Sequence, residues 1–378
     1  MDREVNQETR RSRKVWVGVA AAAALVGGGV LMAERERLPL EERQAEVEQR
    51  RTVLSEVYSV DKIYRSMTGP WGTQRIQLGP ADTEELVWIT GYRAVMVGAD
   101  GETEMPQQYM CHSNLDIDLA RHREALGESP GFGPRLFTLS QGQLEIDFPP
   151  GFGIPVRSSE ALNLTTQVLN LNHRGEAQQV RHKVSVDYVL DSEFGEQMTP
   201  LLPTAAYGLA LLDGPDGFFG VKNPEEHHGP GCLVEDSASE HSYSDGLGRV
   251  FTGHWQVPPG RQENRTLVTH LMRVPYETTI HYIAVHLHPY AESLVLRDLT
   301  TGETLFESQA RNFEDLIGLH HVDAFSSVEG VTVFPDHEYE LVSVYQNDSE
   351  EMQDSMAVMY LYLHDHATED KIASIRGR

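Results

Sequence analysis

Cysteine is nearly missing from this chain, whose 378 residues hold only Cys111 and Cys232. A zinc site built on thiolates is thereby excluded, and one disulfide is the most that pairing could supply. Basic residues are scarce too: 31 Lys+Arg stand against 57 Asp+Glu, a formal net charge of -26. That balance repels phosphate backbones, which excludes nucleic acid as a partner, and the acidic surface serves solubility. No internal repeat is visible, and beyond residue 52 no helical periodicity of useful length occurs. Long apolar runs are absent as well, with one exception.

The exception is the uncharged run Val15–Ala33, which follows Arg10, Arg11, Arg13 and Lys14. At about 1.5 Å per residue such a run just spans a hydrocarbon core. Basic residues on its N-terminal side predict that residues 1–14 stay cytoplasmic while the bulk is exported, periplasmic or extracellular. The run reads as a transmembrane signal anchor at 15–33, the alternative being a signal peptide removed on secretion. Membrane contact is expected through this helix alone. Residues 34–52 alternate acid and base and read as a charged stalk.

From Val53 onward the sequence is strand-like. Runs such as LVWITGYRAVMVG, VRHKVSVDYVL, IHYIAVHLH and MAVMYLYL alternate in polarity and are separated by Gly, Pro, Asn and Asp. The predicted fold class is all-β: two tandem antiparallel jelly-roll or β-sandwich domains at 53–198 and 199–366, behind the N-terminal transmembrane helix. Residues 213–250 are loop-like, and 367–378 form a disordered tail. N-x-S/T sequons begin at Asn163, Asn264 and Asn347.

Histidine is what the chain has in plenty. There are 17, spread along its length, and neutral imidazole is the commonest transition-metal ligand. The sharpest pattern is Val285-His286-Leu287-His288. Residues two apart in a strand share a face, so His286 and His288 present two imidazoles side by side. A second strand, Asp354-Ser355-Met356-Ala357-Val358-Met359-Tyr360, offers a thioether, the soft donor that suits copper(I). A strand methionine taken alone is ordinarily core filler.

Taken in order, Trp255-Gln256-Val257-Pro258-Pro259-Gly260, His286-Leu287-His288, a Gly-Glu-Thr-Leu hairpin at 302–305, Tyr345-Gln346-Asn347 and Asp354-Ser355-Met356 resemble the second domain of the copper type II, ascorbate-dependent monooxygenases, the peptidylglycine and dopamine hydroxylases. The resemblance covers 199–366. It implies a copper held by His286, His288 and Met356, with Met352 and Met359 competing for the thioether role. It also implies hydroxylation of a C–H bond with dioxygen and an external reductant such as ascorbate. The substrate, small molecule or peptide, is not specified.

The family's first domain holds a second copper through an adjacent His-His pair and a third histidine. Here Cys111-His112 stands in place of that pair, and the third histidine is missing from Gln167–Asn172. The second site is either rebuilt from His112 with His173 or His182, or absent. Cys111 is a thiolate ligand or the partner of Cys232 in a disulfide. His254, before the Pro-Pro-Gly turn, is read as a packing or hydrogen-bonding residue, His281 as facing away from His286, and His227-His228 and His320-His321 as loop residues. A copper-handling protein without hydroxylase activity, and a metal-free sandwich for adhesion or glycan binding, are the alternatives to a monooxygenase.

Overall fold

The computed structural model describes residues 38–376, except 81–82, 173, 216, 221–232, 235–241 and 246. The chain divides after Glu48 into two units, and the described part of the first carries the short helix Leu40–Ala45. Among the described residues no helix is long and apolar enough to cross a membrane; the Val15–Ala33 run lies outside them.

The second unit is mostly β-strand, as the alternating runs predict. Its frame is a ten-stranded sheet. Along it lie Gln49–Leu54, Gln178–Leu190, Leu86–Gly98, Phe152–Arg157, Thr199–Tyr207, Ala357–His364, Thr278–Leu287 and Phe325–Val333. Two short strands, Tyr58–Val60 and Glu145–Asp147, attach at its side. The sheet begins at Gln49, so the last residues assigned to the stalk are strand.

Neighbours along the sheet are antiparallel with one exception. Thr199 and Pro200 pair in parallel with Phe152 and Gly153. That short contact joins the two halves of the chain into one sheet. Across the first half lies a four-stranded sheet of Trp71–Ile76, Leu162–Val168, Met110–Asp116 and Arg135–Leu139. A five-stranded sheet, Gly260–Leu267, Tyr339–Asn347, Ala291–Asp298, Glu303–Asn312 and Leu319–Val322, belongs to the second half. The Gly-Glu-Thr-Leu segment is the expected hairpin: Gly302 takes φ 78° and Asp298 accepts the Thr300 and Thr301 amides.

One hydrophobic core runs through both halves. Phe137 of the first half stacks on Tyr92 at 5.1 Å and lies 5.8 Å from Tyr362 of the second. The Tyr362 hydroxyl donates to the Leu136 carbonyl at 2.9 Å. A buried tyrosine of this kind serves both sides, its ring packing apolar neighbours while its hydroxyl satisfies a buried carbonyl.

Helices are more frequent than the sequence reading allows. Leu119–Leu126 is capped by Asp118, whose carboxylate accepts the Ala120 and Arg121 amides. The tail assigned as disordered is the helix His366–Arg376. Buried Asp365 precedes it and accepts the Thr368 amide at 3.0 Å, an N-cap bond. His320-His321 lies in a strand, not a loop. Of the sequons, Asn264 and Asn347 are buried with their side-chain amides donating to Leu209 and to Val257 and Glu351 carbonyls, so both are structural.

His182 lies on Gln178–Leu190 and is buried in the first half. Its ring is edge-on to Tyr58, and the Tyr58 hydroxyl bonds Thr166 at 2.8 Å. Both ring nitrogens are buried, and burial, opposed only in part by the Gln167 backbone, pushes the imidazole from 6.5 down to about 3. Below pH 6.5 the unfolded chain gains a proton here that the folded chain refuses until about pH 3. Stability is therefore complete above pH 6.5 and falls with acidification across that window. His182→Leu is expected to flatten the acid limb by up to about 1.4 kcal/mol per pH unit, measured by urea unfolding. An unchanged slope would show that His182 is solvated in the folded state.

Candidate metal centre

His286 sits near the end of Thr278–Leu287, a strand buried on both faces, and His288 follows immediately. Their rings lie 5.2 Å apart, on the shared face that the His-x-His spacing predicts. Three residues, Tyr345, Gln143 and Ser140, fix the pair. The His288 amide donates to the Tyr345 hydroxyl at 3.4 Å, and that hydroxyl donates to the Met356 carbonyl at 2.5 Å. The amide of Val285 donates to the side-chain oxygen of Gln143 at 3.2 Å. His286 Nδ1 lies 2.8 Å from Ser140 Oγ.

Ser140 and Gln143 belong to a tight turn of the first half, closed by reciprocal backbone bonds. Gly142 within it takes φ 83°, and a Cβ there would come within 2.7 Å of Val322. The turn thus fits against the second half only with glycine at this position. It brings His112 along. The His112 ring, on Met110–Asp116, lies 5.0 Å from that of His286.

Asp354 completes the group. Strand pairing of Gln256 with Asp354 sets it beside the Gly253-His254-Trp255 segment. Its two oxygens lie 2.5 Å from His254 Nε2 and 3.4 Å from His288 Nδ1. Burial pushes this carboxyl up, but His288 and His254 outweigh burial and hold it well below the usual carboxylate range. His254, His288 and Asp354 have one ligand atom each within 4.8 Å of the others.

His112, His286, His288 and Asp354 line one cavity of about 160 Å³, room for several waters. Leu169, Leu171 and Ile317 form apolar wall, and exposed Arg65, Arg174 and Glu351 also line it. Burial, reinforced by the neighbouring histidines, holds His112 down to about 3 and His286 well below 6.5. Both imidazoles are therefore neutral at pH 7, the form that binds metal. His286 Nε2 is buried with no hydrogen-bond partner. In the tautomer whose Nδ1–H donates to Ser140, that nitrogen presents a bare lone pair.

The residues singled out by sequence divide as follows. His286, His288 and His112 come together in one cavity. Met356 does not line it; Met352 does. Met356 falls in the break between Gln353–Ser355 and Ala357–His364, its carbonyl taken by Tyr345. Met359 pairs with Val285, on the opposite face from His286. His182 is buried in the first half, across the Met110–Asp116 sheet from His112: Ser113 and Thr166 face the same side as His182's neighbour Tyr58, while His112 pairs with Gln167 on the other side. His173 and Cys232 lie outside the described residues, as do His227 and His228.

Cys111 lies 3.1 Å from His112 Nδ1, and burial pushes its thiol up to about 12, so the thiolate form is disfavoured in this setting. His281 occupies a β-bulge and bonds Thr279 and the Ser327 carbonyl, away from the cavity. His254, expected to pack or to hydrogen-bond, is a polar partner of Asp354. Asp354 and Ser140 went unassigned as functional residues; the acid at the head of the methionine strand was the signal available for Asp354.

No family model matches the chain, and no curated protein does. Among solved structures, PNGase F, a glycosylasparaginase from Flavobacterium meningosepticum, aligns at 9% identity and a TM-score of 0.33, covering 84% of this chain and 96% of that one. The PBCV-1 virus capsid aligns at 10% identity and a TM-score of 0.29, covering 84% and 95%. Both overlaps are too loose to carry a fold or an activity across.

Proposed function

We propose that this chain is a membrane-tethered, exported copper protein with a single histidine centre that oxidises a small substrate using dioxygen. The observation that carries the reading is the buried, unpartnered His286 Nε2, flanked by the His288 and His112 rings in one cavity. Three imidazoles, those of His112 and His286 held neutral by burial, share the cavity with Met352, and imidazole with thioether suits copper. His286 and His288 would hold the ion, and His112, its ring 5.0 Å from that of His286, would join them by turning its ring inward. Copper, when bound, supplies one-electron redox chemistry and an affinity for dioxygen.

The chain's own residues do the rest. Ser140 holds the His286 ring by Nδ1, and Asp354 faces His288 Nδ1, leaving each Nε2 to the cavity. Leu169, Leu171 and Ile317 give the cavity an apolar wall, and its volume admits only a small substrate group. The exposed arginines 65 and 174 suit an anionic reductant of the ascorbate type. With His112 drawn into this cavity, a separate electron-donating copper is not part of the proposal, and reductant reaches the centre from solution. The tandem-sandwich description and the N-terminal anchor at 15–33 belong to the same proposal.

A specific observation favours a second reading. His254, His288 and Asp354 are a two-histidine, one-carboxylate set, which suits iron(II) or zinc with open positions. Metal analysis of the purified full chain, followed by oxygen uptake with ascorbate, separates the two. Copper with ascorbate-dependent oxygen uptake, lost in His288→Ala, is the expected result. Iron or zinc retained through copper challenge and lost in Asp354→Asn would replace the copper reading.

A further inference from the structure

A second group of ligating side chains lies well away from this cavity, where the last strand passes into the C-terminal helix. His364 ends the strand Ala357–His364, and His366 and Glu369 occupy the first turn of His366–Arg376. The two imidazoles approach to 3.9 Å between ring centres. Glu369 Oε2 lies 2.8 Å from His364 Nε2 and 3.9 Å from His366 Nδ1. One ligand atom from each residue falls within 4.8 Å of the others.

A hydrogen bond between His364 and Glu369 explains only part of this. The His366 ring rests beside that of Tyr276 at 5.4 Å, and it crowds His364 and faces the same carboxylate oxygen with no hydrogen bond of its own among the described residues. Two imidazoles that both turn a nitrogen toward one carboxylate are arranged as ligands converging on a cation.

The arrangement is held from beneath. Asp365, between the two histidines, is 1% exposed. Its carboxylate accepts from the Ser129 hydroxyl at 2.8 Å, the Tyr276 hydroxyl at 3.1 Å and the Thr368 amide at 3.0 Å. The His364 carbonyl accepts from Thr278 at 2.8 Å. The backbone carrying the donors is thus fixed by bonds of its own, so little ordering remains to be done when an ion binds. The positive end of the helix opposes a cation here. The charges of Glu369 and of buried Asp365 offset it.

We propose that His364, His366 and Glu369 form a surface site for a divalent cation of the zinc class, independent of the cavity centre. Two histidines and a glutamate are a zinc ligand set with a fourth position left to water. The side chains of His366 and Glu369 are 47% and 49% exposed, so the ion enters from solvent and the open position faces it. Bound there, it ties the first turn of the helix to the end of the strand.

The test is zinc titration of the full chain by calorimetry, comparing wild type with His366→Ala and Glu369→Gln. Both positions are exposed, so neither change threatens folding. Each variant is expected to bind one zinc fewer than wild type, or to bind that equivalent about 100-fold more weakly. Equal stoichiometry and affinity in all three proteins would overturn the proposal.

Discussion

Phe137→Ala is expected to cost about 3–5 kcal/mol of unfolding free energy and to shift the whole of residues 49–376 in one transition. Phe137 is fully buried and packs on Tyr92 and Phe148 of its own half and on Tyr362 of the other. Removing the ring leaves a cavity where the two halves share their core, and the Tyr362–Leu136 bond beside it loses its support. Urea unfolding followed by tryptophan fluorescence and by far-UV circular dichroism checks this. Two transitions, only one of them displaced, would mean that the halves are independent sandwiches.

His286→Ala is expected to weaken copper binding by more than about 100-fold, and Ser140→Ala by about 10–100-fold. His286 supplies the unpartnered nitrogen itself; Ser140 acts through it, by holding Nδ1 and with it the tautomer. The order of the two effects is the informative part. Competition against a copper(I) chelator measures both. A Ser140 variant as deficient as His286→Ala would place the serine oxygen on the ion, and unaltered binding in both would remove His286 from the centre.

Much of the fold was legible because strand periodicity is local. The segments LVWITGYRAVMVG and IHYIAVHLH announce themselves by composition, and the His286–His288 spacing fixes a shared face without any tertiary knowledge. What no local pattern contains is the pairing of Phe152 with Thr199, which merges the two expected sandwiches into one sheet. The same holds for the site. His254 and Asp354 are 100 residues apart and meet only through the Gln256–Asp354 register.

The choice of methionine turned on a break in regularity. Counting along an unbroken strand from Met356 to Tyr362 gives it a definite face, but the strand is interrupted at that residue and Met352 reaches the cavity. The C-terminal helix was legible and overlooked. Asp365, Thr368 and Glu369 at its start and Arg376 at its end are ordinary helix boundary signals. His112 was visible as a residue but not as a neighbour of His286, since the turn Ser140–Gln143 that joins them carries no sequence mark beyond Gly142.

The measurement closest to the central claim, one centre assembled from both halves, is the copper content of the full chain and of its His112→Ala variant after loading as copper(I). One copper per chain is expected for wild type, bound more weakly in the variant with no second ion left behind. Two coppers in wild type, with only one sensitive to His112→Ala, would contradict the single centre, and a wild type that binds none would contradict the metal reading altogether.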